Sequence, residues 1–123
     1  IAASIELEPV FIARDEVDVP NWNFPAKIVL EEEIDQYLDI PYVVAIGDSE
    51  IRKCVVKRYK NVLRFTNLIH PSATFGLGQR DIFERCQGAI VAAGARFTSG
   101  ITVGSFCIFN QNVTVAHDCN IGN

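Results

Sequence analysis

The sequence predicts two architectures in series: an α/β segment over residues 1–64, then a left-handed parallel β-helix over residues 65–123. Three observations predict this. First, residues 1–64 hold 8 Lys+Arg and 12 Asp+Glu, whereas residues 65–123 hold 3 of each, so the composition changes near Phe65. Second, the first half alternates short apolar runs with helical spacing. Third, the second half repeats every six residues, a period that neither a helix (3.6) nor a strand (2) supplies.

In the first half, Pro9–Ala13 is an apolar run ended by Arg14, Asp15 and Glu16, a strand with its exit loop. Asn21–Pro25 is loop-like. Lys27–Val29 suits a short strand. Leu30–Leu38 places Leu30, Ile34, Tyr37 and Leu38 at helical spacing, with Glu31, Glu32 and Glu33 at the end where the helix dipole favours negative charge. Tyr42–Ile46 is continuously apolar, as expected for a strand buried on both faces. A helix follows from Glu50 to about Lys60, capped by Asp48 or Ser49, with Ile51, Cys54, Val55 and Tyr59 as its apolar stripe. Alternating strands and helices imply a parallel sheet with crossover helices. Ligands of such sheets sit beyond the C-terminal strand ends. That places Asp15, Glu16, Gly47 and Asp48 at a candidate substrate-binding rim. The same residues also suit plain strand-exit and capping roles.

In the second half, Val91, Phe97, Val103, Phe109, Val115 and Ile121 are large and apolar at intervals of six. The residue after each is small or Asn, and the residue two before each is apolar. Three such hexads make one coil of 18, with the large residue inward and the small residue at a corner. Val91 should then stack on Phe109, Phe97 on Val115 and Val103 on Ile121, each coil burying its core against its neighbours. Between Phe75 and Val91 the count fails, so Gln79–Gln87 should loop out of the coil.

Composition narrows the function. A net charge of −4 provides no basic footprint for nucleic acid. No stretch reaches the length of a membrane span. The four cysteines form no C-x-x-C pair, and with two histidines a zinc site is not expected. Cys107 and Cys119 fall on inward repeat positions, so packing explains them, and a reduced cytoplasmic compartment fits. Met is absent even at position 1, and the chain stops inside a repeat, which points to a fragment lacking residues at both ends.

Two histidines compete for chemistry. His70 lies at the junction of the halves, where a structural hydrogen-bonding role suits it. His117 lies two after the inward Val115 and should project outward from a flat side, with Asp118 next to it. An imidazole near neutrality beside a carboxylate suits a general base. A solvated surface pair is the competing reading. Asn110 breaks the small-residue pattern seven before His117; it suits either a hydrogen-bond donor at the site or a tight corner.

Several pieces carry a family resemblance: Val44-Ala45-Ile46-Gly47-Asp48 with Ile51-Arg52, Leu68-Ile69-His70-Pro71-Ser72-Ala73, Phe109-Asn110, and Val115-Ala116-His117-Asp118-Cys119-Asn120-Ile121-Gly122. With them the chain resembles the sialic acid and bacillosamine type of sugar O- or N-acetyltransferase, the NeuD/PglD-like family of hexapeptide acyltransferases. The resemblance implies a Rossmann-like domain over 1–64 that holds a sugar or nucleotide-sugar and lacks its first strand and glycine-rich loop. It implies a left-handed β-helix over 65–123 that holds acetyl-CoA and lacks its later coils. It further implies homotrimers with sites between neighbouring β-helices, His117 as the base, Asp118 as the residue orienting it, and Asn110 lining the site. The implied reaction is acetyl transfer in bacterial surface polysaccharide synthesis. Two other classes share the wall: a γ-type carbonic anhydrase, which needs three zinc-binding histidines, and a non-catalytic trimeric sugar-binding scaffold.

Overall fold

The computed structural model describes residue 2 and residues 6–16 and 26–122. The loop expected at Asn21–Pro25 lies outside them.

The β-helix follows from the hexads. Strands β3 (Leu68–Ile69), β5 (Ile90–Val91) and β8 (Ile108–Phe109) pair in parallel as one side. Strands β4 (Thr74–Phe75), β6 (Arg96–Phe97) and β9 (Thr114–Val115) form the second. Strands β7 (Thr102–Val103) and β10 (Asn120–Ile121) form the third. The registers Val91↔Phe109, Phe97↔Val115 and Val103↔Ile121 are those the count of 18 requires. Inward residues Val91, Ala95, Phe97, Ile101, Cys107, Phe109 and Val115 make one continuous core.

The corners fall later than the hexad count placed them. Backbone φ is positive at Gly88, Gly94, Gly100, Phe106, Asn112 and Asp118, again every six residues. Each turn therefore ends on a left-handed residue two positions after the small residue. Asn and Asp tolerate that conformation better than most residues because their short polar side chains bond locally.

The first coil is longer. Ile69↔Val91 and Phe75↔Phe97 span 22 positions, four more than the later coils. The extra length does not loop out, as the sequence suggested. Helix α2 (Gln79–Arg85) folds inward instead, in place of a third-side strand, and plugs the end of the coil. Phe83 is fully buried, with its ring 5.2 Å from Phe75, 4.5 Å from Phe97 and 5.4 Å from Phe109. The buried Gln79 side chain accepts the Ile101 N–H on its Oε1 at 2.9 Å, so the plug also satisfies a backbone donor of the coil above.

The first half is less regular than its pattern. Strands β1 (Val10–Ala13) and β2 (Lys27–Leu30) pair in parallel. A 3-10 helix follows over Glu31–Tyr37, with the Glu33 carboxylate accepting the Leu30 N–H and Ile34 turned inward. Tyr42–Ile46 is not the doubly buried strand expected: it makes one bridge, Tyr42 to Phe65, and Ala45 is exposed. Helix α1 (Ser49–Tyr59) is capped by Asp48, whose Oδ1 accepts the N–H groups of Glu50 and Ile51 at 2.9 Å. Its expected apolar stripe is only half used. Val55, Val56 and Tyr59 pack on a second core of Ile34, Val44, Leu63 and Phe65, whereas Ile51 and Cys54 stay exposed along a cleft. The described residues therefore show a two-stranded parallel ribbon and a bridged segment here, not one continuous parallel sheet.

Outward residues reveal which wall the first half covers. On the first side Leu68, Ile90 and Ile108 are buried or half-buried; on the second and third sides Thr74, Arg96, Thr114, Thr102 and Asn120 are exposed. The clasp sits at the third corner. Arg52 Nε donates to the Phe106 carbonyl at 3.1 Å, while its Nη1 donates to Ile46 at 2.7 Å and Gly47 at 3.0 Å. The Phe65 and Phe106 rings meet edge to face at 5.1 Å.

Candidate active site

The histidine that the hexad pattern singled out sits on the second corner. His117 and Asp118 form the turn between β9 and β10, not the outer face of a flat side. This corrects the expected placement and explains how adjacent residues meet. On a strand they would point to opposite faces. Asp118 has φ 59, which turns its carboxylate back to the ring, and His117 Nδ1 lies 2.8 Å from Asp118 Oδ2. A carboxylate only accepts, so Nδ1 carries the proton and donates it. In the neutral ring Nε2 is then left with a lone pair. Both side chains are open to solvent, at 75% and 80% exposure, so Nε2 is reachable.

The coil below supports this pair through residues the sequence reading did not single out. The Asp118 N–H donates to the Ser99 carbonyl at 3.0 Å. Gly100 lies directly beneath the carboxylate: a Cβ there would stand 2.4 Å from Asp118 Oδ1. The signal was present, because Gly100 and Asp118 are 18 residues apart and so occupy the same corner of successive coils.

The other candidates lie elsewhere in the chain. Asn110 follows β8 at the first corner, exposed, in the column of His70 and Ala92. The side carrying β9 separates it from His117, roughly 15 Å for about five extended residues. His70 Nδ1 accepts from the Ser72 hydroxyl at 2.8 Å and the Ser72 N–H at 3.1 Å, and Ser72 Oγ accepts the Gly94 N–H at 3.0 Å, so His70 pins the first corner.

Asp15 and Asp48 do not share a rim. Asp15 pairs with Arg14 at 3.2 Å after β1. The neighbouring strand β2 leads into Glu31, whose Oε1 accepts from Arg58 Nη1 at 2.8 Å and from the Tyr59 hydroxyl, both at the C-terminal end of α1. Asp48 caps the opposite end, about 16 Å away along an 11-residue helix. Gly47 gives its carbonyl to Arg52 near the third corner. The expected rim was drawn from a continuous parallel sheet, which the described residues do not form. Within one chain, neither end reaches the second corner, which lies opposite the wall the first half covers.

No protein-family profile matches the sequence, and no curated protein matches it. Among solved structures, the acetyltransferase domain of PglB from Neisseria gonorrhoeae FA1090 superposes with a TM-score of 0.75 at 20% identity. The match covers 98% of this chain and 60% of that one, so this chain spans a little over half the length of the neighbour. The two share a fold.

Proposed function

We propose that this chain belongs to an acetyltransferase that moves acetyl from acetyl-CoA to a hydroxyl or amine of a sugar or nucleotide-sugar, in cytoplasmic steps of bacterial surface polysaccharide synthesis. One observation carries the proposal: an exposed imidazole whose Nδ1 is held 2.8 Å from a carboxylate at a rigid β-helix corner. The shared fold with an acetyltransferase domain supports it.

Acetyl-CoA supplies the activated acyl group. The chain supplies the proton chemistry. His117 Nε2 takes the proton of the acceptor O–H or N–H as that atom attacks the thioester carbonyl. The imidazolium is stabilised by Asp118. When the C–S bond breaks, the proton passes to the leaving thiolate, so the ring returns to neutral and free CoA thiol departs. The outer walls beside the corner carry the exposed Arg96, Thr102, Thr114 and Asn120, polar side chains along which an extended donor would lie.

In this reading residues 1–64 are part of a Rossmann-like substrate unit, and residues 65–123 form a left-handed β-helix. In this reading the protein assembles as a homotrimer. One chain keeps Asn110 and Gly47 away from His117, so an acceptor bound by the first half reaches the base of a neighbouring copy. The test is acetyl-CoA consumption with a panel of amino and hydroxyl sugars, followed by release of free thiol. Thiol release that depends on one acceptor supports the proposal; sugar binding without thiol release favours a scaffold and rejects it.

A further inference from the structure

The two walls that meet at the His117 corner differ in charge. On the third side the outward residues are Thr102 and Asn120, and the Thr102 hydroxyl already donates to Asn120 Oδ1 at 2.8 Å. On the second side they are Thr74, Arg96 and Thr114, one from each coil, aligned by the registers Thr74↔Arg96 and Arg96↔Thr114. All three are exposed. Arg96 is the only charged residue between Gln87 and His117 in the sequence. Among the described residues its guanidinium has no hydrogen bond or ion pair, and the hydroxyls of the two threonines have no partner. Arg80, 5.8 Å from the Phe75 ring centroid at the foot of the coil, is by contrast paired with Glu84 at 3.2 Å.

A guanidinium between two hydroxyls on one flat wall is a donor set for an oxyanion. The planar fork matches a phosphate with two parallel N–H donors, and each hydroxyl adds one more. Nothing in the fold uses this set. Its position selects the ligand. Thr114 lies three residues before His117, so Arg96 stands at most about 10 Å along the side from the ring and about 4.8 Å below it, at the spacings of strand residues and of neighbouring strands. A hexose that carries a phosphate spans that gap. Acetyl-CoA does not: the whole pantetheine arm separates its thioester from its nearest phosphate. An extended donor that brings the thioester to His117 therefore carries its phosphates well past Arg96.

We infer that Arg96, with Thr74 and Thr114 beside it, is the specificity-determining residue that holds a phosphate of the acceptor sugar while His117 meets its hydroxyl or amine. The inference rests on the acetyl-transfer reading for the part played by His117; the oxyanion site itself does not need it. The acceptor is then a sugar phosphate or a nucleotide-sugar, which share this chemistry, and the uncharged third side is left to the donor.

The test uses the full-length protein, the variants Arg96→Gln and Arg96→Lys, and three probes: glucosamine-1-phosphate, UDP-glucosamine and unphosphorylated glucosamine. Binding is read by calorimetry, which needs no turnover. The parent should bind a phosphorylated sugar about tenfold or more tighter than glucosamine; Arg96→Gln should lose that margin, and Arg96→Lys should keep part of it, because the charge stays and the fork is gone. A margin with glucosamine-1-phosphate identifies the sugar phosphate, and a margin confined to UDP-glucosamine identifies the diphosphate. In turnover with the tighter acceptor, Arg96→Gln should raise its KM about tenfold while kcat and the KM of acetyl-CoA stay within about twofold. Equal binding of all three probes, a margin that survives Arg96→Gln, a KM change confined to acetyl-CoA, or a lower assembly mass of Arg96→Gln (which makes Arg96 a contact between copies) overturns the inference. An Arg96-dependent margin without thiol release from any acceptor keeps the oxyanion site and defeats the acetyl-transfer reading; thiol release that Arg96→Gln leaves untouched does the reverse.

Discussion

His117 Nδ1 and Asp118 Oδ2 stand 2.8 Å apart because Asp118 takes the left-handed corner that glycine takes one coil below. The same backbone position that closes the turn also aims the carboxylate. Fold and chemistry can therefore be separated at this position by substitution.

Asp118→Gly keeps the corner and removes the carboxylate. Glycine adopts φ near 59 without the steric penalty of about 1–2 kcal/mol that an L residue meets there. The expected outcome is a Tm within a few degrees of the parent and an acetyl-transfer rate lowered at least about tenfold, since an unoriented ring loses its near-attack geometry. Thermal melts and thiol release measured on one preparation check both. Full activity would remove Asp118 from the site.

Gly100→Ala should damage both properties. Its φ of +68 disfavours any side chain, and the new methyl would press on Asp118 Oδ1 from 2.4 Å. A loss of about 1–2 kcal/mol is expected from the backbone alone, read as a lower urea midpoint with an unchanged m-value. The transfer rate should fall with it, as the carboxylate is displaced from His117.

Phe83→Ala tests the plug. The ring is fully buried and touches aromatic rings from three coils. Truncation of such a ring costs about 3–5 kcal/mol. Against a total stability of about 5–15 kcal/mol, the variant should melt far below the parent. A small change would show that α2 packs on the coil without supporting it.

Glu31 gives the first half an acid sensitivity of known sign. The hydrogen bond from Tyr59, and then Arg58, hold its carboxyl below the usual carboxylate range against the opposing effect of burial. A depressed folded-state pKa gives stability that is present above the unfolded value, about 4.3, and lost as pH falls through the folded value. Glu31→Gln should therefore flatten the fall in Tm on the acid side of that value and lower Tm at neutral pH. The Arg58 side chain is 64% exposed, so salt should weaken its share of the effect.

Much of the β-helix was legible because a period of six has few physical explanations. The stacked pairs could be counted from the sequence, and the strand registers carry the same count. The corner residues keep the same count, as Gly88, Gly94 and Gly100 followed by Phe106, Asn112 and Asp118, but only the glycines advertise a left-handed backbone strongly. Phe106 shows why: nothing local marks a Phe as left-handed, and it is held by Phe65, at the junction, and by Arg52 from the other half. Helix α2 was missed because its one deeply buried apolar residue, Phe83, packs on coils distant in sequence. The apolar run Tyr42–Ile46 predicts a strand buried on both faces, but a run does not state whether a partner is present. At the site, the adjacency of His117 and Asp118 was plain, whereas their contact depended on a corner that the hexad count placed too early.

The most direct measurement compares acetyl-CoA-dependent thiol release by the parent and by His117→Ala, in the full-length protein at saturating acceptor. A positioned base contributes about 10²–10⁴-fold, so a fall of that size with an unchanged melting temperature is predicted. An undiminished rate in a folded His117→Ala protein would contradict the assignment of this corner as the active site.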